Sequence, residues 1–326
     1  MNVMIIGGTG FLGYYAALEF LRRGHTVKTV SLPDVPLGEW FPPQIEVRYG
    51  DVFTMPADEL TALFHGCDAM IYAVGPDDRV TPPAPAYEFF HERLVEACVR
   101  VVAAARKGGV RRCVVLNSYF ATFHRLHPHW NLTDHHPYIR CRVEQAERVI
   151  AEGKNRMAVM VLELPYIFGT MPERVPLWRD VLFERLRREK TILYPRGGSN
   201  MIAAEHVAEA IVGAAEQGRH GRCYPIGDVN MSWNEMLAIM LDAMDMHKKI
   251  VNVPVFLAKL GGQQMKKEHE ARGLESGLDP VLLMKDIMGR CLYFDPTESQ
   301  RDLGYGSGGI EDSIRKTVKA CYPEEA

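Results

Sequence analysis

Through the first half of the chain, short apolar runs alternate with segments whose apolar residues recur every three to four positions. The runs at residues 2–6, 26–30, 46–48, 69–74 and 112–116 are rich in Val and Ile, which predicts buried β-strands. Helices are predicted between them at 11–24 and 87–107; in the second, Tyr87, Phe90, Leu94, Ala97 and Val101 fall on one apolar face. Strand, helix and strand in succession imply parallel strands joined by right-handed crossovers, hence an α/β chain with a doubly wound parallel sheet. A helix over 136–152 then leads into a strand over 158–164. Beyond that the rhythm loosens. Pro165, Pro172 and Pro176 punctuate a loop, and helical segments follow near 178–188, 205–216, 233–244 and 311–320, with a charged helical stretch ending at Ala271. The pattern divides the chain into a first domain over residues 1–165 and a smaller α/β lobe over 166–326, interwoven with it.

The first strand runs into the first helix through Gly7, Gly10 and Gly13, a G-x-x-G-x-x-G spacing. Such a turn needs positive φ or a missing Cβ, and it lets the backbone approach a pyrophosphate closely. The helix start at Phe11 and Leu12 then turns free N–H groups and a positive dipole end toward that anion. Gly13 allows close packing of helix on sheet. The site expected here is for a dinucleotide, NAD or NADP.

Composition changes this picture little. The 326 residues are 47% apolar, enough for one large core or two smaller ones. A formal net charge of −3 offers no electrostatic reason for a nucleic-acid or anionic-membrane partner. The apolar run 3–6 is too short for a signal-peptide core, and no window reaches the length of a membrane span. Seven scattered cysteines without a C-x-x-C pair fit reduced thiols in the cytoplasm better than a disulfide framework.

With the segment Gly7-Gly8-Thr9-Gly10-Phe11-Leu12-Gly13, the chain resembles the short-chain dehydrogenase/reductase superfamily, and within it the extended branch of NAD(P)-dependent epimerases, dehydratases and reductases. The resemblance continues along nearly the whole chain. Gly50-Asp51-Val52 is similar to the segment after strand three that contacts adenine, so Asp51 and Val52 are expected there. Ala73, Val74 and Gly75 resemble the turn after strand four that passes the cofactor. Leu164-Pro165-Tyr166-Ile167-Phe168-Gly169 looks like the family's segment beside the nicotinamide, which implies cofactor contacts for Pro165, Tyr166 and Ile167. Ala204-Glu205-His206-Val207-Ala208, Tyr224-Pro225-Ile226-Gly227 and Phe294-Asp295 with Leu303-Gly304-Tyr305 match its later landmarks. The resemblance implies a Rossmann-type fold with a smaller substrate lobe, and a homodimer formed through the helices at 87–107 and 136–152.

At the tip of strand two, a carboxylate would bind ribose hydroxyls and repel a 2′-phosphate. Here Ser31 takes that slot, with Asp34 three residues on. A hydroxyl serves either group, so the choice between NAD and NADP stays open at this point.

Family chemistry uses a tyrosine as general acid/base with a lysine four positions on, so that both side chains share a helix face. This chain has Tyr138-Ile139-Arg140-Cys141-Arg142, with Arg142 in place of the lysine. An arginine supplies a fixed charge that lowers the phenol pKa and can hold the nicotinamide ribose, but it does not give up a proton. The third member, a hydroxyl just after strand five, falls within Leu116-Asn117-Ser118-Tyr119-Phe120-Ala121-Thr122. Ser118 is favoured, then Tyr119, then Thr122, and Asn117 beside them is expected near the cofactor.

His124, His127, His129, His135 and His136 crowd the stretch between Ser118 and Tyr138. No cysteine or tight carboxylate pattern completes a metal site with them, so a polar loop over the active site is expected and no metal. The arginine with which sugar-nucleotide members clamp a diphosphate is missing from Gly197-Gly198-Ser199-Asn200-Met201-Ile202; Arg174, Arg179 and Arg196 lie nearby. These readings lead to an NAD(P)-dependent oxidoreductase or epimerase that transfers hydride at an alcohol or carbonyl carbon of a small molecule. Tyr138, Arg142 and Ser118 would form its reaction centre. The alternative is a dinucleotide-binding redox sensor without catalysis.

Overall fold

The computed structural model describes residues 1–33 and 37–323. Its strands are β1 (Asn2–Ile6), β2 (Thr26–Ser31), β3 (Glu46–Tyr49), β4 (Ala69–Tyr72), β5 (Arg112–Ser118), β6 (Ala158–Leu164), β7 (Tyr166–Phe168), β8 (Thr191–Pro195), β9 (Gly198–Ala203), β10 (Cys223–Pro225), β11 (Val229–Ser232), β12 (Lys249–Val253) and β13 (Cys291–Leu292). Seven of them form the main sheet, in the order β10-β6-β5-β4-β1-β2-β3. Every pairing in it is parallel. Strand order reverses between β1 and β4, where the crossovers leave toward opposite edges and open a crevice at the carboxyl ends of the strands.

The strands read as unbroken apolar runs because both sheet faces are covered. Val3, Met4, Ile5, Ala69, Met70 and Ile71 are all fully buried. On one face, the helix Phe11–Arg22 packs beside the helix Ala204–Gln217 through Ala16, Ala17, Phe20, Val207 and Ile211. On the other, the helical stretch 86–107 and the helix Pro137–Glu152 close over the sheet through Val101, Val102, Ala105, Ala146 and Val149. The stretch 86–107 widens into a π-helical turn at His91–Glu96.

Three expectations need correction. First, β4 stops at Tyr72, not Val74, because the chain must already turn toward Gly75, whose φ is +126°. Second, the histidine-bearing segment is no open loop. It folds as the helix Phe120–Leu126, a 3-10 turn at Pro128–Trp130 and a short helix at Leu132–His135. Its apolar members Phe120, Ala121, Phe123 and Leu132 are buried, and that burial outweighs the polar look of the rest. Third, the proline-punctuated stretch after Leu164 contains β7, and β8, β9, β11, β12 and β13 were not expected. β9 is fully lined by buried residues, although Gly198, Ser199 and Asn200 favour no strand. It pairs with β7, β11 and β13, so neighbours supplied from elsewhere in the chain make it a strand.

The second half also completes the first: β10 is the seventh strand of the main sheet. No helix among the described residues is long and apolar enough to cross a membrane. All seven cysteines are free thiols.

Candidate active site

The glycine loop sits at the switch point. Gly7 has φ +89°, and a Cβ there would lie 2.4 Å from Val74 Cγ1 and 2.8 Å from Ala73 O. The turns after β1 and β4 are therefore in contact, with Gly75 following on the β4 side. A Cβ on Gly13 would stand 2.1 Å from Gly7 O, so only glycine lets the helix start this close to the loop. Gly10 donates its N–H to Gly7 O at 3.0 Å. No acidic residue stands in the first turn at Phe11 and Leu12, which leaves the helix start open to an anion. A missing Cβ at each close approach and a bare helix start fit a dinucleotide pyrophosphate.

Ser31 ends β2 and is buried, its hydroxyl 3.0 Å from Thr9 Oγ1 and donating to Leu32 O at 3.2 Å. The chain thus ties the glycine loop to the tip of β2. Asp34 lies outside the described residues. Asp51 Oδ1 accepts the Phe53 N–H at 2.9 Å, and Arg100 donates to the carbonyls of Val52 and, at 2.8 Å, Met55.

Tyr138 and Arg142 share a face of the helix Pro137–Glu152, as their spacing requires. Arg142 Nε donates to the Tyr138 hydroxyl at 2.9 Å. The rest of its fork is used as well: Nη1 donates to Gln145 Oε1 at 3.0 Å and reaches Leu116 O at 3.5 Å, while Nη2 reaches Pro76 O at 3.5 Å. A lysine could not span the phenol, the end of β5 and the turn after β4 together. Both side chains are buried. Burial pushes the Tyr138 phenol up; Arg142 pulls it down, and the Asp78 carboxylate pushes it up again. The net direction is upward, so the expected lowering by the cation is corrected. Arg142 acts in that sense, but desolvation is the larger effect.

Asn117 is a brace within this network. Its Nδ2 donates to Arg142 O at 2.9 Å and Gln145 Oε1 at 3.0 Å, and its Oδ1 accepts the Ser118 N–H at 2.6 Å. Of the three candidate hydroxyls, Thr122 donates to the buried carboxylate of Glu163. Ser199 gives its proton to Asn200 O at 3.0 Å, so Tyr119, whose hydroxyl lies 2.9 Å from Ser199 Oγ, is the donor in that pair. Ser118 Oγ accepts from the Phe120 N–H at 3.4 Å, and among the described residues its proton is given to no partner.

Sequence reasoning missed three parts of the surroundings. Asp78, half-buried after β4, has its carboxyl pushed up by burial and by Asp77, and its charge acts on the phenols of Tyr119, Tyr138 and Tyr166. Tyr166 on β7 packs against Trp178 and Trp233, with ring centroids 5.5 and 5.2 Å away; Pro165 and Ile167 flank it. A strap at 273–279 crosses in front of Tyr138: Gly277 O accepts the Tyr138 N–H at 2.9 Å, and Ala84 donates to Gly273 O at 2.9 Å. Nothing local in the sequence marks that strap, because its partners lie well over a hundred residues earlier. Of the nearby arginines, Arg179 pairs with Asp180 at the surface.

The histidines scatter. His127 stacks on Trp130 with centroids 4.1 Å apart, and Arg290 covers the Trp130 ring at 3.8 Å. His135 and His136 turn instead toward Asp286.

Residues 7–161 match the family described as NAD(P)H-binding. This part of the chain is an NAD(P)H-binding domain. Solved structures extend the likeness to the whole chain. One is gox2253, with a TM-score of 0.77 at 16% identity, covering 100% of this chain and 98% of that one. A second is a nucleoside-diphosphate-sugar epimerase from Pseudomonas aeruginosa, with a TM-score of 0.71 at 14% identity, covering 100% and 98%. A third is MoeE5 in complex with UDP-glucuronic acid and NAD, with a TM-score of 0.69 at 15% identity, covering 99% and 100%. At such identities the likeness is one of fold: a Rossmann-type α/β architecture shared with the epimerases, as the resemblance implied. No curated protein matches the sequence.

Proposed function

We propose that the chain is an NAD(P)-dependent oxidoreductase or epimerase acting at an alcohol or carbonyl carbon of a small molecule, with Tyr138 as its acid/base. The observation that carries this reading is the 2.9 Å bond from Arg142 Nε to the Tyr138 hydroxyl, in a network that reaches β5 and, through Pro76 O, the turn after β4 that touches the glycine loop. When bound, the dinucleotide supplies the hydride donor or acceptor. Gly7, Gly10 and Gly13 hold its diphosphate, and Ala73, Val74 and Gly75 border its path. Arg142 fixes the phenolic oxygen without taking part in proton transfer. Tyr138 gives a proton to the substrate oxygen or takes one from it, and Ser118, whose proton is uncommitted, steadies the same oxygen. The buried cluster of Phe90, Leu94, Tyr119 and Leu278 around Tyr138 keeps bulk water from its ring.

The missing arginine before the helix Ala204–Gln217 favours a carbonyl or alcohol substrate without a clamped diphosphate. The UDP-sugar bound by MoeE5 nevertheless belongs in the first substrate panel. A homodimer through 86–107 and Pro137–Glu152 is part of this reading, and sedimentation velocity tests it. The raised phenol and the proton-retaining Arg142 favour a second reading, a redox-sensing NAD(P)-binding protein. Fluorescence titration with NADH and NADPH comes first; binding of neither overturns both readings. Binding without hydride exchange across a carbonyl and UDP-sugar panel leaves the sensor.

A further inference from the structure

Asp286 lies in the π-turn Met284–Met288 and is completely buried, as is His136. His135 Nδ1 is 2.7 Å from Asp286 Oδ2, and His136 Nε2 is 3.5 Å from the same oxygen. Lys285 Nζ stands 3.9 Å from Oδ1. Two imidazoles and a carboxylate with ligand atoms within 4.8 Å of one another have the make-up of a metal site. The hydrogen bonding argues otherwise. The Asp279 backbone N–H donates to His136 Nδ1 at 3.0 Å. That nitrogen therefore holds the lone pair, and in the neutral ring Nε2 holds the proton. A metal on Nε2 needs the reverse tautomer, with Nδ1–H donating outward. The Nε2 proton points toward Asp286 Oδ2 at 3.5 Å without closing a hydrogen bond, and Lys285 adds a positive charge beside the other carboxylate oxygen.

The same histidine joins this cluster to the reaction centre. His136 directly precedes Pro137 and Tyr138, and through Asp279 it pins one end of the strap. Asp279 is itself braced by Lys266 at 2.7 Å, while Glu275 Oε2 accepts the Ala86 N–H at 2.7 Å near the other end. Between these pins, Gly277 has no Cβ to strike Phe90 or Tyr138, which would lie 2.5 and 2.9 Å away. The strap packs on the backbone and Cβ of Tyr138 and on the Phe90 ring, and Leu278 joins the same buried cluster, only while both ends hold.

We infer that Asp286 is a positioning residue: through His135 and His136 it holds the strap closed over Tyr138, by a proton-bearing clamp and not a metal ion. The inference rests on Tyr138 as the acid/base, but its test needs no turnover. In Asp286→Leu, amide exchange at Tyr138 and Asp279 should quicken about tenfold or more, and Asp286→Asn, which keeps an acceptor oxygen, should restore most of the protection. The Tyr138 phenol, isolated by near-ultraviolet titration of each background against its Tyr138→Phe counterpart, should ionise about one pH unit lower in the Leu variant as burial is relieved. Arg142, Asp77 and Asp78 act on this phenol in both backgrounds. Should Asp286→Leu not fold, His135→Gln removes one arm of the clamp and gives the same readouts in smaller measure. Unchanged protection, or a lower melting temperature with an unmoved phenol, overturns positioning. Zinc that raises the melting temperature of the parent protein but not of Asp286→Asn overturns the proton clamp. If instead Tyr138→Phe keeps full turnover while the exchange results stand, the functional reading fails and the clamp survives.

Discussion

Arg142 and Tyr138 are joined by a 2.9 Å bond inside a buried network, yet the phenol is pushed up because burial outweighs the neighbouring charge. The arginine is wired into three elements at once: its own helix, the end of β5 and the turn after β4. Its first role is to build the site, and on the proposed reading catalysis would use a phenol that starts protonated.

Tyr138→Phe should lower turnover by about 10²–10⁴-fold, the range for a lost acid/base, while leaving NAD(P)H affinity within a factor of about two or three. Steady-state kinetics and a fluorescence titration on the same preparation check both halves.

Arg142→Lys exchanges a fork for a point charge. The bonds to Gln145 and the two carbonyls cannot all survive, so urea denaturation should show a loss of about 1–3 kcal/mol. An ammonium can release a proton where a guanidinium cannot, so turnover per folded molecule should hold or rise.

Gly13→Ala places a methyl group 2.1 Å from Gly7 O, against backbone that cannot step aside. NAD(P)H binding should weaken by at least about tenfold, with a stability cost of about 1–3 kcal/mol from overpacking. A calorimetric titration together with thermal unfolding measures the pair.

Ser118→Ala and Thr122→Val should separate cleanly. The first removes the uncommitted hydroxyl and should cost about 10²-fold in turnover with little change in stability. The second removes a donor from buried Glu163 and should cost about 1–3 kcal/mol of stability with turnover nearly unchanged. A reversed outcome would move the catalytic hydroxyl to Thr122.

Acid should loosen the strap. Burial acts to raise the Asp279 carboxyl, but the bond from Lys266 and the backbone N–H groups of Leu282 and Val281 outweigh it, and the group sits below its ordinary 3.8. A carboxyl depressed in the fold contributes its full stability above 3.8 and loses it as pH falls through the lower folded-state value. Thermal unfolding from pH 5 downward should therefore show an acid limb that flattens in Asp279→Asn.

Local pattern determined much of this protein. Unbroken Val- and Ile-rich runs mark strands covered on both faces, and in the glycine motif Gly7 and Gly13 mark close approaches that admit no Cβ; both are carried by consecutive residues. The helical i, i+4 rule puts Tyr138 and Arg142 on one face from their spacing alone. Tertiary structure alone decided the rest. The direction of the Tyr138 phenol depends on how much chain covers it, and that cover comes from a cluster that draws Phe90, Tyr119 and Leu278 from distant parts of the sequence. Thr122 turns to Glu163 on a neighbouring strand, and His136 turns to Asp279 and Asp286. β9 is a strand because β7, β11 and β13 surround it. Burial, pKa and partner choice are properties of neighbours distant in the chain, and no window of consecutive residues contains them.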